Sequence, residues 1–188
     1  MGFSGLLPAA LLTLATGTPD LRGDPMIVPF AAAAATAANT TDSAAFSPAV
    51  ARVVQSLVEY TRWPTPRSPV RLCLAGPAQF ADRLDGLRLA DGRAIERRQA
   101  AANPASLTGC DAVYLGQLSL AQQREVTAAL RGRGVLTIAE ADPDCRSQAM
   151  FCLSFAARAV SFRLNVDAVS RSGLRVDPRV LRLAAGQR

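Results

Sequence analysis

The sequence predicts an α/β domain: a three-layer sandwich with a mixed, mostly parallel sheet of about five or six strands and helices on both faces. Three observations carry this. Short apolar runs at Val70–Gly76, Cys110–Gly116 and Val135–Ala139 have the look of strands buried on both sides. Segments of helical periodicity precede or separate them. The chain then closes on Met150–Phe155 and Val160–Asn165, which flank the short connector Ala156–Ala159 and read as a β-hairpin. That gives the sheet one antiparallel end.

Taken in order, residues 1–43 read as a signal or disordered leader, and residues 44–188 as a single domain. LLPAALLTLATG has the apolar length of a signal peptide, and AAAAATAAN supplies small-x-small cleavage options. No Lys or Arg precedes the run, and Met26 offers a second start. Neither apolar stretch reaches the roughly 18–20 residues a membrane span needs.

Ser47-Pro48 reads as the cap and first-turn proline of a helix. Val50, Val53, Val54, Leu57 and Val58 then fall on one stripe that faces a core. Pro64 stops this helix near Trp63, since proline disfavours helical geometry in the residue before it. Trp63 is expected there as a core plug, or as one wall of a ligand pocket shared with Arg62 and Arg175.

Gly76-Pro77 turns the first strand into a short helix over Ala78–Leu84. Arg93–Gln99 is a polar strand, suited to a sheet edge. Ser119 and Gln122 have capping-box spacing ahead of a helix over Leu120–Arg131, and Gly132 ends it. After the hairpin, Asn165 caps a helix over Val166–Ser172, and Gly173 sits where a left-handed residue is wanted. Asp177-Pro178 restarts helix. This last stretch has no paired carboxylates and no nucleophile with a base. It offers instead an apolar lobe of Val166, Val169, Leu174, Val176, Pro178 and Leu181, which favours packing or protein contact over chemistry.

The 188 residues are 49% hydrophobic, enough for a real core, and carry a net charge of +6 from Arg. No aromatic residues interleave with the Arg residues and no long basic run occurs, so nucleic-acid binding is not supported. The chain has no His. That removes His-based general bases, Ser-His and Cys-His pairs and His-ligated metals. Asp142 and Asp144 form a close carboxylate pair, beside Pro143 in a turn where Asp is expected anyway. No G-x-G-x-x-G follows the first strand, so the sandwich is Rossmann-like in outline without a nucleotide fingerprint. No cofactor is expected, and no enzyme activity.

The cysteines are Cys73, Cys110, Cys145 and Cys152, and four allow three connectivities. With no C-x-x-C and no His, a zinc site is disfavoured. Cys145 and Cys152 lie on either side of a loop, so local pairing is easy. Cys73 and Cys110 then remain, each on an apolar strand that could neighbour the other. The alternatives are a two-disulfide exported protein and four buried thiols in a cytosolic one.

LVEYTRWP, PVRLCLAG, CDAVYLG, GVLTIAE and FRLNVDAVSRSGLRVDPRVLRLA, in that order and spacing, resemble the YfiR-like (DUF4154) family from about residue 48 to 184. The Phe-Glu-Ile-Asn strand of that family is here Phe162-Arg163-Leu164-Asn165. The resemblance implies disulfides Cys73–Cys110 and Cys145–Cys152. It also implies a periplasmic, homodimeric repressor of a membrane-bound diguanylate cyclase. Such a repressor holds the cyclase's periplasmic domain inactive until an OmpA-like outer-membrane lipoprotein sequesters it, and disulfide state affects its stability. On this reading Val166, Val169, Val176, Pro178 and Leu181 are the expected partner-facing patch. The rival is a periplasmic small-ligand sensor using Arg62, Trp63 and Arg175.

Overall fold

Strands apolar on both faces need a helical layer on each side, and the sheet has one. The computed structural model describes residues 45–156 and 159–185, together with Met1. The expected leader therefore lies outside the described residues. The main sheet has six strands: β2 (Val70–Ala75), β3 (Ile95–Ala100), β4 (Ala112–Leu115), β5 (Leu136–Ala139), β6 (Phe151–Ala156) and β7 (Ala159–Leu164). Their order is β3-β2-β4-β5-β6-β7, parallel throughout except for the final β6–β7 hairpin. The polar strand is at the edge, as its composition demands.

Two helices cover the two faces. Helix α1, over residues 45–59, puts Val50, Val54, Leu57 and Val58 against Leu72, Leu74, Ala112, Tyr114, Leu136 and Ile138. Helix α2 (Leu120–Leu130) puts Val126 and Leu130 on the opposite face, against Cys73, Ala75, Val113, Leu115 and Ala139. The capping box of α2 is complete: Ser119 and Gln122 bond reciprocally. Helix α1 begins earlier than Ser47-Pro48 suggests. Counted from residue 45, Pro48 still falls in the first turn, where a missing N–H costs little.

The expected helix over Ala78–Leu84 does not form; this stretch is turn and irregular chain. The N–H groups of Gln79 and Phe80 bond instead to the carboxyl of Glu140, at 3.1 and 2.8 Å. A carboxyl from a strand about 60 residues away fixes this loop, a partner that local sequence cannot reveal.

The chain order of the sheet reverses between β2 and β4, the position where open α/β sheets bind ligands. Here Gln117 N–H donates to the Pro77 carbonyl at 2.6 Å and Gly116 N–H to that of Ala75 at 3.0 Å. The Pro77 main chain occupies the space a Cβ on Gly116 would take. Backbone thus covers these strand ends, with no glycine-rich phosphate loop.

Candidate functional site

The C-terminal lobe is clamped onto the end of α1 by a small second sheet. Strand β1 (Thr61–Arg62) pairs antiparallel with β8 (Arg175–Val176), matching Thr61 with Val176 and Arg62 with Arg175. The Asp177 N–H donates to the Tyr60 carbonyl at 2.9 Å. Asp177 then caps a 3₁₀ turn (Pro178–Val180), accepting from Arg179 N–H at 2.9 Å and pairing with its guanidinium at 2.7 Å. These bonds hold the Asp177 carboxyl down at about 2. The Arg179 guanidinium also lies 5.9 Å from the Tyr60 ring centroid.

This clamp sorts the lobe's apolar residues. Leu174 and Val180 point into the core, Val180 completely. Helix α3 (Val166–Ser170), capped by Asn165, leaves Val166 69% exposed. Helix α4 (Leu181–Ala185) leaves Leu181 49% exposed, and Pro178 is exposed as well. Val169 and Val176 are half-buried, packed on the core. So the expected patch divides into three outward residues and two that also cover the sheet. Val166 and Leu181 are the large apolar side chains that stand exposed in the described domain. Leu174 joins the core, and Val180, equally core, carried no signal apart from its place after Pro178.

Trp63 is 9% exposed and belongs to the core, with its indole N–H on the Asp111 carbonyl at 3.2 Å. It also lines an open cleft of about 370 Å³ with Arg62, Pro66, Arg67, Asp91 and Arg93. Plug and wall are therefore the same residue. Arg175 pairs with Arg62 across the β1–β8 ladder but is not part of this cleft's lining.

Both cysteine pairs are disulfides. Cys73 on β2 and Cys110, two residues before β4, have Cα atoms 5.9 Å apart. Arg98 on β3 covers this bond, donating to the two sulfurs at 3.1 and 3.3 Å and to the Ser106 and Thr108 carbonyls at 3.1 Å. Cys145 and Cys152, Cα atoms 5.3 Å apart, close the loop that enters β6. Asp142 organises that loop by accepting the N–H groups of Arg146 and Ser147, each at 2.9 Å. The cluster Asp142, Cys145 and Cys152 has the spacing of metal ligands. Its sulfurs are bonded to each other and its carboxylate oxygens are taken by main chain, so its donors are committed to holding the loop. Asp144 is exposed, while Asp142 is buried with both carboxylate oxygens on main-chain N–H groups.

The family model DUF4154, described as YfiR/HmsC-like, matches residues 47–185. The chain belongs to this family. YfiR-like proteins are known as periplasmic regulators of diguanylate cyclase, a regulatory rather than a catalytic role. Among the described residues no helix is long and apolar enough to cross a membrane.

In this YfiR/HmsC-like chain sequence reasoning missed one buried polar pair. Glu140, 3% exposed at the end of β5, lies near Tyr114, whose hydroxyl is buried with no hydrogen-bond partner among the described residues. Burial pushes the Glu140 carboxyl up to about 7 against the pull of its two N–H bonds, and Asp82 adds to the rise. Burial, with Glu140 nearby, raises the Tyr114 hydroxyl. The available signal was an acid directly after an apolar parallel strand, LTIA-Glu140.

Proposed function

We propose that this chain is a periplasmic negative regulator. It binds the periplasmic sensor domain of an inner-membrane diguanylate cyclase and represses cyclic di-GMP synthesis, and hence biofilm formation. Release comes through sequestration by an OmpA-like outer-membrane lipoprotein; the repressor is a homodimer, and its stability is sensitive to disulfide state. Membership of the YfiR/HmsC-like family is the observation that carries this reading. Two disulfides agree with an oxidising compartment.

On this reading Val166, Pro178 and Leu181 are the outward residues of the partner-facing surface, and the half-buried Val169 and Val176 pack on the core as well. Their support is exposure: Val166 and Leu181 are large apolar side chains left in solvent, the kind of residue that serves as an anchor when a partner covers it. Deleting the gene tests the function in cells. Cyclic di-GMP should rise on deletion and return to its starting level when the gene is restored; an unchanged level contradicts repression.

The cleft beside Trp63 and Arg62 favours a second role, as a periplasmic small-ligand sensor; Arg175, paired with Arg62 across the β1–β8 ladder, lies outside the lining and would act only through Arg62. Its wall pairs an aromatic face with cationic groups, which suits aromatic or anionic metabolites. A rise in melting temperature with such compounds, lost in Arg62→Ala, supports it. No shift across a metabolite panel removes it.

A further inference from the structure

At the amino ends of the parallel strands, a buried carboxylate holds two arginines by one edge each. Asp111, just before β4, has its side chain 4% exposed. Its Oδ1 meets Arg67 Nε at 3.2 Å, and its Oδ2 meets Arg71 Nε at 3.4 Å and accepts the Arg71 main-chain N–H at 2.9 Å. Both ion-pair contacts use Nε; that of Arg71 is also a hydrogen bond, whereas the buried Arg67 Nε stands at ion-pair distance without hydrogen-bond alignment. The Nη groups of Arg67 and Arg71 have no hydrogen-bond partner among the described residues. Neither does the Arg133 side chain, from the turn between α2 and β5.

All three arginines line one cleft of about 270 Å³, together with Thr108, Gly109 and Asp111. Gly109, at φ +79°, borders the Arg71 guanidinium: a Cβ there would be in ordinary contact with its Nη1, at 3.4 Å. Three guanidinium groups against one carboxylate leave two positive charges in excess in a concave, partly shielded site. A guanidinium held at Nε presents a fixed fork, the geometry that recognises phosphate and carboxylate oxygens.

We propose that this cleft is a receptor for a doubly charged oxyanion, a phosphoryl group or a dicarboxylate, held between Arg67, Arg71 and Arg133. The site is separate from the exposed C-terminal apolar residues and does not depend on the repressor reading. Asp111 is a positioning residue: it orients the two forks and keeps them from collapsing onto other carbonyls.

The test is thermal melting and titration calorimetry of the purified, oxidised protein with inorganic phosphate and, separately, succinate. Sodium chloride at matched ionic strength controls for screening of the basic surface. Phosphate should raise the melting temperature beyond the chloride control. Arg133→Gln, which removes no bond within the fold, should weaken phosphate binding about tenfold. Arg163→Gln, an exposed arginine on β7 at the far end of the sheet, should leave it unchanged. Phosphate binding without succinate binding assigns the site to phosphoryl groups; binding of both assigns it to divalent oxyanions in general. No stabilisation beyond chloride by either anion overturns the proposal. So does an effect equal in wild type and Arg133→Gln.

Discussion

Glu140 and Phe80 are joined by a 2.8 Å hydrogen bond, from the Phe80 main-chain N–H to a carboxyl oxygen of Glu140. Phe80 in turn packs on Phe46 of α1 and Phe155 of β6, with ring centroids 5.4 and 4.4 Å away. One buried acid thus fixes the 77–84 loop, and through Phe80 it supports the contact between α1 and the hairpin.

This acid makes stability depend on pH. The folded Glu140 binds its proton more tightly than the unfolded one, with a pKa about 7 against an ordinary 4.5. Its contribution is therefore fully present below about 4.5 and is lost as pH rises through 7. Denaturant unfolding should show stability falling by up to about 3 kcal/mol from this group between those limits. Glu140→Gln should flatten that fall. An equally steep fall in the variant would contradict the assignment.

Adjacent residues of the C-terminal lobe should behave oppositely. Val180→Ala empties a fully buried site and should cost about 2 kcal/mol of stability. Leu181→Ala removes a half-exposed side chain and should change stability by no more than about 0.5 kcal/mol. Leu181→Ala should instead weaken partner binding by over 1–2 kcal/mol, about tenfold. Paired melting and binding measurements on the two variants separate the roles. A lowered melting temperature with unchanged affinity in Leu181→Ala would place that residue with the core.

The disulfides close loops with sequence separations of 37 and 7 residues. Loop-closure entropy assigns them roughly 4 and roughly 2–2.5 kcal/mol. Unfolded, unreduced protein should give no reaction with a thiol reagent. Cys73→Ala/Cys110→Ala should destabilise more than Cys145→Ala/Cys152→Ala. Two or more reactive thiols in the isolated protein would contradict the two-disulfide state.

The sheet was largely legible because its signals are local. VRLCLA, AVYL and LTIA are short apolar runs, and the capping residues of α2 and α3 lie within three residues of the groups they satisfy. What escaped depends on residues distant in the chain. Glu140 replaces the 78–84 helix with a loop pinned from β5. Asp111 gathers Arg67 and Arg71, and Arg98 reaches two sulfurs on other segments. β1 and β8 are two residues each, too short for any periodicity. In the apolar lobe, composition marked the segment but not the direction of each side chain. The turn after β8 decides that: it sends Val180 inward and Leu181 outward.

The most direct test is binding of the purified, oxidised protein to the periplasmic domains of membrane diguanylate cyclases from the same genome. The account predicts a complex with at least one of them, weakened about tenfold by Leu181→Ala and unaffected by Arg163→Gln. No complex with any of these domains, with the protein folded and both disulfides intact, would contradict it.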